Sequence, residues 1–245
     1  MAKPAKTERQ KVIDDIRRKQ KGADRRRGFL IVGLCAAVAV VIVGAAAYRP
    51  VVNWWELRGY ADQQLSDIGA APSVCQKVTT KPAEGSQDHV DEDVQVDYPD
   101  APPAFGQHWN TADAPATMDR KVWTDDDRPE LEALVHNLEH GYTILWYDET
   151  IADDSSEIAA IKAIAASLDA NDTNQRLKFK AVPWTKDDGK SFPKGQHIAF
   201  THWRLDAGEQ KQYGAWQYCT ETSGEALEAF MDKYPFTDSP EPYVP

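Results

Sequence analysis

Imidazole is the side chain that both binds transition metals and moves protons near neutral pH, and this chain carries six of them. His136 and His140 stand four residues apart in PELEALVHNLEHG, a stretch that reads as a helix. That spacing places both rings on one helical face, a turn apart, where they can offer two ring nitrogens to one ion. The plainer alternative is a pair of helix-end histidines bonding the last carbonyls and favoured by the helix dipole. Glu139 completes H-x-x-E-H, the inverted zinc-peptidase motif, in which the glutamate is general base. Such an enzyme needs a further acidic ligand on a downstream helix, whereas here Gly141 ends the helix and a strand follows. Glu139 is therefore expected to orient a ligand or a bound water, or to sit at the surface. No catalytic residue is assigned.

Two more histidines lie upstream, His108 near the end of PPAFGQHW and His89 at the head of HVDEDVQVDY. Taken singly, each is more often a satisfied polar residue than a ligand. His197 and His202 belong to QHIAFTHW, a strand by pattern, and their separation of five puts them on opposite faces. They cannot both face one ion.

The elements that must position these residues alternate between helix and strand. Pro129 to His140 is helical, with proline in the first turn and Gly141 at the C-cap. Tyr142 to Tyr147 reads as a strand from its β-branched and aromatic content. Ser155 or Ser156 caps a helix running to about Leu168. Leu177 to Val182 and Gln196 to Trp203 are further strands. Thr222 with Glu225 forms a capping box for a helix through Tyr234. Asp97 to Arg128 shows no periodicity and carries Pro99, Pro102, Pro103 and Pro115. Phe105, Trp109 and Trp123 demand burial there, so this stretch is expected to be an ordered wrapping loop that presents His108. The sum is an α+β chain: an α/β-type domain with one small central sheet at residues 73–236, and a loose, proline-rich tail at 237–245.

Phe29 to Tyr48 is twenty residues without a charge, between Arg25-Arg26-Arg27 and Arg49. As a helix it would be roughly 30 Å long and would cross a bilayer core. Residues 1–28 carry eleven Lys/Arg against four Asp/Glu, and the chain from Arg49 onward holds 17 basic and 35 acidic groups. The basic leader stays cytoplasmic, so the remainder is exported. The segment is read as an uncleaved anchor in the cell membrane, with the lipid bilayer as its partner. Residues 49–72 form a juxtamembrane helix or linker carrying Trp54, Trp55 and Tyr60. A cleaved signal peptide ending near Ala45-Ala46-Ala47 is the alternative, and it exports the same domain. An exported portion so acidic repels nucleic-acid backbones, which excludes a nucleic-acid reader. With 42% hydrophobic and 27% charged residues, the chain is neither disordered nor a polytopic membrane protein.

Of three cysteines, Cys35 lies in the apolar run, leaving Cys75 and Cys219 as an even pair in an oxidising compartment. A disulfide is expected. Two unrelated thiols or a thiolate metal site remain open on spacing alone.

Pro102-Pro103-x-x-Gly106-x-His108-Trp109, followed by Leu134-Val135-His136-Asn137-Leu138-Glu139-His140-Gly141, resembles the domain-of-unknown-function family 3105. The resemblance spans about residues 70–235 and includes a Gly-x-x-x-His-Val block ending at His89-Val90. Members are usually actinobacterial, exported and single-pass or lipid-anchored. Ala104-Phe105 stands where the family often has a hydroxyl pair, so no hydroxyl role is carried over. The resemblance implies that His89, His108, His136 and His140 belong together, and it supplies no activity.

Imidazoles from a helix, a loop and an early strand form a nitrogen site suited to copper or zinc and poorly suited to calcium or magnesium. Methionine occurs only at Met1, Met118 and Met231, which disfavours a Met-rich copper(I) carrier. A reading of a different class is a metal-free accessory or adaptor subunit. Its partner would be another membrane or exported protein, met through some of the eight tryptophans.

Overall fold

The computed structural model describes residues 8–58, 63–83, 87–110, 120–168 and 178–243. The chain divides into two compact units, residues 1–56 and 57–245. The first is essentially one helix, α1 (Glu8–Leu57). Within it Arg27–Tyr48, 22 residues, is long and apolar enough to cross a membrane, and none of it is buried against protein. Of the juxtamembrane stretch 49–72, α1 takes in the part up to Leu57, where it ends. The chain next shows a short 3-10 turn at Leu65–Asp67. Tyr60 lies outside the described residues.

The second unit is mixed. In chain order it contains β1 (Thr79–Pro82), β2 (His89–Val90), β3 (His108–Trp109), α2 (Leu131–Glu139) and β4 (Thr143–Tyr147). There follow α3 (Glu149–Ala152), α4 (Ser155–Ser167), β5 (Phe179–Pro183), β6 (Ile198–Asp206), β7 (Lys211–Cys219) and α5 (Gly224–Lys233). Five strands make one sheet in the order β1-β7-β6-β4-β5. β4 and β5 run parallel, as a strand–helix–strand crossover through α4 requires, and the other neighbours are antiparallel.

Alternation along the central strands builds two cores. Leu145, Tyr147, Phe179, Ala181 and Phe200 face α4 and α5 through Ile161, Ile164, Leu227 and Phe230. Ile144, Trp146, Val182, Ala199 and Trp203 face the other way, against Leu134, Val135 and Leu138 of α2. The sheet is therefore covered on both faces, which is why TILWY in β4 is buried at every position. Cys75 and Cys219 form a disulfide across 144 residues of chain, and Cys219 is buried at the end of β7.

Local chemistry displaces several expected boundaries. Asp154, not a serine, caps α4: its Oδ1 accepts from the backbone N–H groups of Ser156 and Glu157. The cap of α5 is Ser223, whose Oγ accepts from Ala226 N, while Thr222 N donates to Glu157 of α4. The capping pattern was thus read one residue early, and Glu225 takes no part in it. Strands β1 and β7 had no counterpart in the sequence reading. The hairpin between β6 and β7 turns on Asp206, which accepts from Gly208 N and Glu209 N.

The expected wrapping loop does pack in its described portions. Trp123 is buried, and Val122 bridges to Ala181 at the outer side of β5. The tail expected to be loose packs in its described portion, up to residue 243: Ser239 is buried and Glu241 N donates to Glu139 O at 3.0 Å.

Candidate metal centre

Three short pieces of backbone bring the histidines together. β2 and β3 pair in parallel with His89 opposite His108, so residues 19 apart in sequence become neighbours. α2 presents His136 in its last turn and stops at His140, its C-cap. The stop is a Schellman motif, with Tyr142 N donating to Asn137 O and Gly141 N to Leu138 O. Gly141 has φ +87°, and a Cβ there would lie 2.6 Å from Phe236 O. Only glycine fits this reversal, which delivers the chain into β4 directly behind the site.

The ring contacts follow. His108 lies 4.8 Å from His89 and 4.9 Å from His136, between ring centroids. His136 lies 5.1 Å from His89 and 4.5 Å from His140. Glu139 reaches into this group. Its Oε2 is 2.9 Å from His108 Nε2 and 3.7 Å from His89 Nε2. Ligand atoms of His89, His108, His136 and Glu139 all lie within 4.8 Å of one another. Donors around one tetrahedral ion stand about 3.4 Å apart, so a small inward rotation of side chains closes the gap. His140 is one step out. Its Nε2 is 3.0 Å from His136 Nε2 and 3.5 Å from Glu241 Oε2.

Backbone carbonyls decide which ring nitrogens point inward as lone pairs. A carbonyl only accepts, so His108 Nδ1 carries a hydrogen and donates to Gly106 O at 2.7 Å. His136 Nδ1 donates likewise to Trp109 O. The Nε2 atoms of both rings then face the cluster, the usual arrangement by which a metal-binding histidine is oriented: that of His136 meets His140, and that of His108 meets Glu139 Oε2 at 2.9 Å, a contact that needs a proton or a cation between ring and carboxylate. Opposite His136 Nε2, His140 Nε2 must be the donor, because two lone pairs at 3.0 Å would repel.

Glu139 is oriented by an amide relay whose direction is chemically determined. The Trp203 indole N–H donates to Gln212 Oε1 at 2.9 Å, Gln212 Nε2 donates to Gln87 Oε1 at 2.7 Å, and Gln87 Nε2 donates to Glu139 Oε1 at 2.9 Å. Oε1 is thereby occupied and Oε2 is turned toward the rings.

Electrostatics favour a neutral His136 and an ionised Glu139. Burial, and then the neighbouring His140, push His136 down to about 4, so it is neutral at ordinary pH. Burial alone would raise the Glu139 carboxyl, but hydrogen bonds from His108 and Gln87 outweigh it and hold the group below its ordinary value. The cluster therefore presents a neutral imidazole and a carboxylate side by side. Buried groups of this composition could bind a metal ion. His108 and Glu139 are buried while His89 is 38% exposed, which makes His89 the open side.

The other two histidines are elsewhere. His197 precedes β6 and donates through Nδ1 to Asp148 at 2.8 Å. His202 is fully buried in β6 between Asp238 and the Tyr142 carbonyl. Reasoning from sequence missed Glu241, Gln87 and Gln212. Gln87 lies inside the Gly-x-x-x-His-Val block, but nothing in the tail marks Glu241.

No curated protein and no solved structure matches this chain. A family model described as "Protein of unknown function (DUF3105)" matches residues 89–245, a span that contains His89, His108, His136, Glu139, His140 and Glu241. Covering more than half of the sequence, that match shows that the chain belongs to this family.

Proposed function

We propose that this is a membrane-anchored, extracytoplasmic protein that holds a transition metal ion, copper or zinc, on His89, His108 and His136 with Glu139, beside His140. The observation that carries the reading is the pair of Nδ1–H donations to Gly106 O and Trp109 O. They leave both Nε2 atoms facing the cluster, that of His108 2.9 Å from a Glu139 oxygen whose partner oxygen accepts from Gln87. A structural ion pair would need one histidine to carry two protons. A divalent cation satisfies all the donors at once, with neutral imidazoles and one carboxylate of the kind zinc and copper accept. The apolar segment Arg27–Tyr48 and the Cys75–Cys219 disulfide support the location outside the cytoplasm.

The test is metal content of the full chain purified in detergent, stripped with chelator and reloaded with zinc(II) or copper(II). Uptake is expected in the wild type and in His197→Ala, and its loss in His136→Ala and His108→Ala. If the wild type takes up neither ion, the metal reading fails and the accessory or adaptor reading replaces it.

A further inference from the structure

We propose that the centre is binuclear: a second divalent cation binds between Glu139, His140 and Glu241, and the Glu139 carboxylate is shared by both positions. This rests on the metal reading of the first position. His89, His108, His136 and Glu139 already supply four donors, a complete tetrahedral shell. His140 is left outside that shell, buried, with its Nε2 3.5 Å from Glu241 Oε2. Ligand atoms of Glu139, His140 and Glu241 form their own group within 4.8 Å of one another.

The two groups meet at Glu139 for a geometric reason. Residues 136, 139 and 140 are spaced i, i+3 and i+4, so they share one face at the end of α2, and the Glu139 carboxylate belongs to both groups. Glu241 is held in place by more than chance. Its own N–H donates to Glu139 O at 3.0 Å. Lys178 Nζ donates to His140 O at 2.7 Å and to Pro242 O at 3.2 Å, so one buried ammonium ties the helix end to the tail. The tail residue is thus ordered before any ion arrives, which lowers the entropic cost of using it as a ligand.

Chemistry distinguishes the two positions. The first is rich in nitrogen and mostly buried. The second offers one imidazole and two carboxylates, and Glu241 is 46% exposed. Three protein donors leave room for a water or an exogenous ligand, the arrangement of an exchangeable or reactive ion. Filling it needs the other tautomer of His140: the Nε2 hydrogen that otherwise bonds to His136 moves to Nδ1, so that Nε2 offers its lone pair and the ring stays neutral.

Full-length protein in detergent, stripped and dialysed against zinc(II), should carry two ions per chain, counted by elemental analysis. Glu241→Gln, a substitution at a half-exposed position, should carry one, and His197→Ala should still carry two. Copper(II) loading adds a spectroscopic readout. Ions sharing a carboxylate lie about 3.5–4 Å apart and couple, so the wild type should show less than one paramagnetic spin per copper, and Glu241→Gln an uncoupled signal. One ion in the wild type, unchanged in Glu241→Gln, overturns the binuclear centre and leaves the first position standing. No ion in the wild type overturns both.

Discussion

His136 should make the metal-free domain sensitive to mild acid. Burial, reinforced by His140, holds the folded ring near 4, against about 6.5 when exposed. A base whose folded pKa is lowered contributes stability that is fully present above the unfolded value and is lost as pH falls from about 6.5 toward 4. At pH 5 the unfolded chain takes up a proton that the folded chain refuses. The difference between pH 7 and pH 5 comes to about 2 kcal/mol from this one ring. With a urea dependence of about 2 kcal/mol per molar, that is a midpoint shift of about 1 M. The carboxyl of Glu139, also held low, titrates below this window and does not contribute to it. The assay is urea unfolding of the full chain in detergent with chelator present, followed by tryptophan fluorescence, for wild type and His136→Gln. The wild type should lose about 1 M more in midpoint than the variant between the two pH values. Equal losses would show that His136 is not kept neutral by its surroundings, and would remove the electrostatic support for the cluster as a ligand set.

Reduction of Cys75–Cys219 frees a loop of 144 residues, so reductant should cost the wild type about 2–5 kcal/mol; a Cys75→Ala variant that still responds to reductant would refute that assignment. His202→Ala opens a buried vacancy, takes a partner from the Tyr142 carbonyl and leaves Asp238 its Arg204 contact, and should cost about 1–3 kcal/mol with metal uptake unchanged. His197→Ala breaks a half-exposed pair and should shift stability by less than about 1 kcal/mol in the same unfolding assay.

How much of this was legible in the sequence depended on how local the cause was. Helix α2 and its end were legible because the apolar spacing of Leu131, Leu134, Val135 and Leu138 and the glycine at 141 lie within one short stretch. β4 was legible from TILWY alone. β7 was not, because Gly214 interrupts its pattern, and glycine in a strand interior weakens the strand signal. The structure supplies the reason for that glycine: a Cβ there would lie 2.4 Å from the Trp216 ring and 2.6 Å from Phe105. The early strand at His89 was legible and appears as β2, but β3 is only two residues long and exists through pairing with β2, which no periodicity can reveal. The tail carries three prolines, a composition that suggests looseness. Its order comes from Lys178, sixty-four residues upstream of Pro242.

The same distinction explains why the histidine motif was ambiguous. Spacing says that His136 and His140 share a face, and H-x-x-E-H then invites a peptidase with Glu139 as a free base. Spacing does not say which nitrogen of each ring is a lone pair, and that is the property a metal responds to. Here it is decided by two carbonyl oxygens, those of Gly106 and Trp109. Backbone atoms carry no residue identity. Gly106 has φ +141°, and a Cβ at that position would lie 3.0 Å from the Tyr98 ring, whose hydroxyl donates to Gln107 O at 2.7 Å. A tyrosine and a glycine that make no ring contact with the cluster thus set the backbone that orients His108. Gln87 likewise fixes one Glu139 oxygen and leaves Oε2 to the imidazoles. The carboxylate is tethered on one side and faces imidazoles on the other, which is the environment that the proposed ligand role requires.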